Sequence, residues 1–68
     1  MAYYSVNKNA QNNGDHEVHK FGCAWWPAEG NRVSLGNHLT CSTAVQKARQ
    51  YYTQVNGCYY CSNAFHTS

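Results

Sequence analysis

Four cysteines and four histidines are the residues of this 68-residue chain best suited to chemistry. The firmest motif is Cys58-x-x-Cys61, a spacing that allows two thiolates to bind one tetrahedral ion. A structural zinc ion takes four protein ligands, and His19-x-x-x-Cys23 is the best second pair. The sequence therefore predicts a Zn²⁺ site formed by His19, Cys23, Cys58 and Cys61.

Three other side chains compete with His19 for the fourth position. Cys41 would give a site of four thiolates, but it lies on the apolar stripe of a predicted helix, where a cysteine behaves as a small buried hydrophobe. His66 follows Cys61 by five residues, and His16 precedes His19 by three. The residue types favour His19 and leave Cys41, His66 and His16 as alternatives.

A disulfide-stabilised protein without metal is the main alternative to a zinc domain. Cys23 with Cys41 and Cys58 with Cys61 would be the obvious pairing. The second bridge would close a very short loop and so constrain the unfolded chain little. Residues 1–6 lack a basic segment followed by an apolar one, so we expect a cytoplasmic protein with reduced thiols.

A thiol-based enzyme or redox sensor is a further alternative. Reactive C-x-x-C motifs of the thioredoxin type lie at the start of a helix, where the dipole lowers the thiol pKa. Here Cys58 and Cys61 are predicted to follow a helix, which favours a metal site over a reactive pair. The residues favour a domain without enzymatic activity and leave the enzyme as an alternative, and no small-molecule substrate is predicted.

The composition is that of a small domain that needs a stabilising cross-link, either disulfides or a bound metal. A chain of this length buries only about 60% of the surface that its unfolded form exposes. Its net charge is +2, only 12% of its residues are charged, and the basic residues are scattered. Charge therefore gives no argument for nucleic-acid binding, and no apolar run approaches the ~20 residues of a membrane span.

The elements that would position the ligands are three short strands and one helix. Alternation and strand-forming residues predict strands over 3–6, 16–21 and 32–35. Apolar residues at helical spacing predict a helix over 40–55, capped by Thr40 or Ser42 and stopped at Asn56-Gly57. The prediction is an α+β fold in which short antiparallel strands pack on one helix, as one domain over 1–68.

The order of these motifs resembles a known family. His19-x-x-x-Cys23, a strand around Val33, a helix and then Cys58-x-x-Cys61 is similar to the zinc domain of Ada-type DNA methylphosphotriester repair proteins, over 19–61. The resemblance implies a small α+β zinc fold with two ligands from each motif. In that family the methyl acceptor is the first cysteine of the earlier pair. His19 stands there and offers no sulfur, so we do not expect methyl transfer.

Two further resemblances concern the arrangement of the motifs. Short zinc modules at the ends of some nucleases have a similar order of H-x-x-x-C, helix and C-x-x-C. The segments NGDHEVH (13–19), GCYYC (57–61) and HTS (66–68) look like those of a group of small bacterial proteins, over nearly the whole chain. That group carries no function that can be transferred to this chain. The four-ligand set, with the aromatic and basic side chains, predicts a structural zinc module that binds another macromolecule, a nucleic acid or a protein.

Overall fold

A mixed β-sheet with one helix packed on it forms the fold of residues 1–58, the part of the chain that the computed structural model describes. The strands are β1 (Ala2–Asn7), β2 (His16–Lys20), β3 (Arg32–His38) and β4 (Val55–Gly57), and the helix is α1 (Cys41–Ala48). A single 3-10 turn, Glu29–Asn31, precedes β3. The predicted α+β class is confirmed.

The sheet has the strand order β3-β1-β2-β4. Strand β1 pairs antiparallel with both β2 and β3, as expected. Strand β4 instead runs parallel to β2, so the expectation of a purely antiparallel sheet was wrong at this edge. Parallel neighbours need a long crossover, and the chain from β2 to β4 provides it by passing through β3 and α1.

Helix α1 is shorter than predicted, because it ends at Ala48 instead of continuing to residue 55. Tyr52 still reaches the core, where its ring stacks on His16 with the centroids 3.8 Å apart. Val55 is β-branched and pairs with His16 at the sheet edge, an environment that suits its side chain better than a helix. None of the helices within residues 1–58 is long and apolar enough to cross a membrane.

The apolar core lies between α1 and one face of the sheet. Its buried members are Tyr4, Val6, Val18, Leu35, Ala44, Val45 and Ala48. Two of the three helical members are alanines, which allow the helix backbone to approach the strands closely.

The opposite face of the sheet carries polar side chains. Residues alternate between the two faces of a strand, so Ser5 and His19 point away from the buried Val6 and Val18. Ser5 pairs with Ser34 on one side and with His19 on the other. Cys58 comes directly after Gly57, the partner of Val18, and so continues this row beside His19.

The loop between β1 and β2 is ordered by Asp15. Its carboxylate accepts hydrogen bonds from Gln54 Nε2 at 2.8 Å and from Asn56 Nδ2 at 3.2 Å. The Asn13 side chain accepts a bond from the Asp15 backbone N–H at 2.9 Å. The polar loop thereby holds β4 against the edge of β2.

Candidate metal centre

Three of the four predicted ligands meet on the sheet face that is turned away from α1. One ligand atom of each of His19, Cys23 and Cys58 lies within 4.8 Å of the other two. The three residues come from β2, from the loop after it and from the end of β4. This group could hold a metal ion.

Parallel pairing of β2 and β4 brings His19 and Cys58 together. Val18 pairs with Gly57, and the N–H of Cys58 donates to the carbonyl of Val18 at 2.9 Å. The side chains that follow these two partners therefore emerge side by side on the same face. Both are buried, with exposed fractions of 1% each.

A tight turn after β2 brings Cys23 back over the same face. Gly22 has φ +95°, a left-handed conformation that other residues rarely adopt. The N–H of Cys23 donates to the carbonyl of Lys20 at 3.1 Å, which closes the turn. The backbone N–H of Trp25 donates to Cys23 Sγ at 3.4 Å, which fixes the position of the sulfur on the loop.

The spacing of the two sulfur atoms matches a tetrahedral metal site. Cys23 Sγ and Cys58 Sγ lie 3.8 Å apart. Two thiolates at about 2.3 Å from a tetrahedral zinc ion are separated by about 3.8 Å. No disulfide joins Cys23, Cys41 and Cys58 to one another.

His19 is held in the form that binds metals. Burial lowers the pKa of His19 from 6.5 to about 4, so the imidazole is neutral at pH 7. A neutral ring nitrogen is the ligating species. Glu17 lies two residues earlier on the same face of β2. The distance from its carboxylate Oε1 to His19 Nε2 is 3.7 Å.

The competing ligands lie elsewhere or outside the described residues. The His16 ring stacks on Tyr52, and its Nδ1 lies 2.9 Å from the carbonyl of Asn7, on the helix side of the sheet. Cys41, in the first turn of α1, is half-buried and packs against the core, as its place on the apolar stripe predicted. Cys61 and His66 lie outside residues 1–58.

No protein-family model, no curated protein and no solved structure matches this chain. The interpretation of the site therefore depends on its own geometry. Sequence reasoning missed two polar neighbours of His19 on this sheet face. Glu17 could have been found from its i−2 position on the strand, whereas Ser5 depends on the pairing of β1 with β2.

Proposed function

We propose that this protein is a structural zinc module in which His19, Cys23, Cys58 and Cys61 bind one Zn²⁺. The observation that carries the proposal is the convergence of one imidazole and two thiols within 4.8 Å. Cys61 follows Cys58 at the C-x-x-C spacing that supplies two ligands to one tetrahedral ion. Four protein ligands close the coordination shell and leave no position for a reacting water.

The donor set favours zinc over harder cations. Thiolates and imidazole select Zn²⁺ and other soft or borderline ions, whereas Mg²⁺ and Ca²⁺ require oxygen ligands. His19 and Cys58 are buried, Cys23 is half-buried, and the two sulfurs lie 3.8 Å apart. Two thiolates at that distance would repel each other unless a cation neutralised them.

The metal would act as a cross-link that stabilises a domain with a small core. It would link β2, the loop that carries Cys23 and the end of β4, on the side of the sheet that α1 does not cover. The core on the helix side contains few large side chains. Structural zinc in small domains contributes on the order of 10–16 kcal/mol of apparent binding energy, which exceeds the stability of a domain of this size.

The loop after β2, which carries Cys23, also carries aromatic side chains that support a role in binding another macromolecule. Phe21 and Trp25 are 66% and 59% exposed. Trp26 is half-buried, and its ring lies 5.4 Å from that of Phe21 and 5.3 Å from the guanidinium carbon of Arg32. We name Phe21, Trp25, Trp26 and Arg32 the aromatic surface. Exposed aromatic and arginine side chains are typical of binding sites for macromolecules.

Metal analysis with thiol titration, on protein purified under reducing conditions, tests the zinc site. We expect one zinc per chain, and we expect an excess of EDTA to collapse the dispersed NMR spectrum. A spectrum that survives EDTA would contradict the proposal. If the protein held no metal and oxidation joined Cys23 to Cys58, the thiol-based alternative would be supported instead.

A binding assay tests the aromatic surface separately. We would titrate the zinc-loaded protein with single-stranded and double-stranded oligonucleotides at two salt concentrations. Nucleic-acid binding should weaken with salt and should weaken further in Trp25→Ala. Leu39→Ala is the control, because Leu39 is 82% exposed but lies between β3 and α1. No binding at low salt would leave a protein as the partner.

A further inference from the structure

We infer that the Ser5 hydroxyl is a hydrogen-bond partner of the His19 imidazole in the metal-bound domain. Ser5 would then be a positioning residue, which orients a ligand without touching the metal. The inference rests on the proposed zinc site and adds a residue that no metal-ligand motif contains.

The first observation is a buried polar atom without a partner. Ser5 is 0% exposed. Its Oγ is the buried side-chain nitrogen or oxygen within residues 1–58 that makes no hydrogen bond. Leaving such a group unsatisfied destabilises the folded domain, because the hydroxyl loses its bonds to water and gains none in the protein. A serine at this position therefore calls for an explanation beyond packing, since alanine would fill nearly the same space.

The second observation is the register of the sheet. Ser5 is the direct cross-strand partner of His19. Side chains of such antiparallel partners emerge on one face with their Cβ atoms about 4.5–5.5 Å apart. On the other side of Ser5, the Ser34 hydroxyl already accepts a hydrogen bond from the Tyr3 hydroxyl at 2.6 Å. No hydrogen bond joins Ser34 to Ser5, and the imidazole is the polar side chain beside Ser5 on the side of the metal group.

The chemistry of a ligating histidine supplies the reason for this contact. When one ring nitrogen binds a metal, the other carries a proton and donates it to an outer acceptor, which fixes the tautomer and the ring orientation. A serine hydroxyl can accept that bond.

Glu17 is one competing acceptor. Its Oε1 lies 3.7 Å from His19 Nε2, which is longer than a hydrogen bond. Its side chain also retains 13% of its exposure and can be hydrated, whereas Ser5 is fully enclosed. A hydrogen bond to the imidazole therefore stabilises Ser5, which cannot bond to water, more than it stabilises Glu17, which can.

The test uses zinc-loaded, ¹⁵N-labelled full-length protein. Long-range ¹H–¹⁵N spectra should show a slowly exchanging N–H on the non-ligating nitrogen of His19. Ser5→Ala should make this proton exchange rapidly and should weaken zinc binding about tenfold in a chelator competition. Ser34→Ala is the matched control on the neighbouring strand and should leave both quantities unchanged. Ser5→Thr, which retains a hydroxyl, should preserve the slow exchange.

Three results would overturn the inference. In the first, Ser5→Ala behaves like Ser34→Ala in both measurements. In the second, Glu17→Gln makes the His19 N–H exchange rapidly while Ser5→Ala does not. The third needs no variant: rapid exchange of the His19 N–H in the unaltered zinc protein would mean that no buried acceptor holds it. A wild-type protein that takes up no zinc is a different outcome, because it removes the zinc site itself.

Discussion

Cys23 Sγ and Cys58 Sγ lie 3.8 Å apart, although 35 residues separate the two positions in the chain. The two cysteines belong to a loop and to the end of an edge strand, and neither element packs against the other through the core on the helix side. Their proximity depends on the turn at Gly22 and on the pairing of β4 with β2. The contributions of the turn and of the strand pairing can be tested separately.

Replacing a proposed ligand should affect metal binding far more than replacing a core cysteine. Cys58→Ser removes one of the two sulfurs that are 3.8 Å apart. We expect zinc affinity to fall more than about 100-fold, because even outer-shell changes cost 10–100-fold. Cobalt substitution should show a weaker thiolate-to-metal absorption band.

Cys41→Ser is the matched control for that experiment. Cys41 packs against the apolar core and is not a member of the metal group. It should cost about 1 kcal/mol of unfolding free energy and leave the cobalt spectrum unchanged. If Cys41→Ser abolished metal uptake while His19→Ala did not, the ligand assignment would be wrong.

The turn before Cys23 should be sensitive to a single added methyl group. Gly22 has φ +95°, and a Cβ built there would meet nothing within 4 Å. Gly22→Ala should therefore cost about 1–2 kcal/mol through backbone strain alone, and the loss should appear both in thermal unfolding and in zinc affinity.

Gly30→Ala serves as the comparison, because Gly30 also has open space around it but lacks a positive φ. We expect it to be neutral or slightly stabilising, since alanine restricts the unfolded chain. Equal destabilisation by the two substitutions would exclude backbone strain at Gly22 as the cause.

Removing the Asp15 carboxylate should loosen β4 and, through it, the metal group. Asp15→Ala deletes the acceptor for Gln54 and Asn56. Asn56 is only 3% exposed, so the loss of this one buried hydrogen bond should cost about 1–3 kcal/mol. Urea unfolding and zinc competition should both report it. Glu29→Ala, which changes an exposed carboxylate in the 3-10 turn, should alter neither by a comparable amount.

The residue pattern predicted the strands around Val6, Val18 and Leu35, since local alternation and turn residues mark them. It also indicated His19, Cys23 and Cys58 as a ligand set, because ligand spacing is a local property. Strand β4 was missed because Val55 continues the apolar helical pattern and Asn56-Gly57 is typical of a helix stop, and only pairing with β2 makes these residues a strand.

Non-local pairing explains the other differences as well. Helix α1 ends at Ala48, and Val55 lies instead in β4, where it pairs with His16, a residue far from it in the chain. Ser5 appears unremarkable in the sequence, and its proximity to His19 arises only when β1 pairs with β2.

The three-residue strand β4 has a consequence for the order in which the domain assembles. Paired residues of β1 and β2 are 12–16 positions apart in the chain and those of β1 and β3 are 25–36 apart, whereas β4 must return to β2 across 39. Such long-range closure is slow, because loop entropy is lost before contacts compensate for it. We expect β4 to dock last during folding, with amide protons that exchange before those of β1, and metal capture to coincide with that final step.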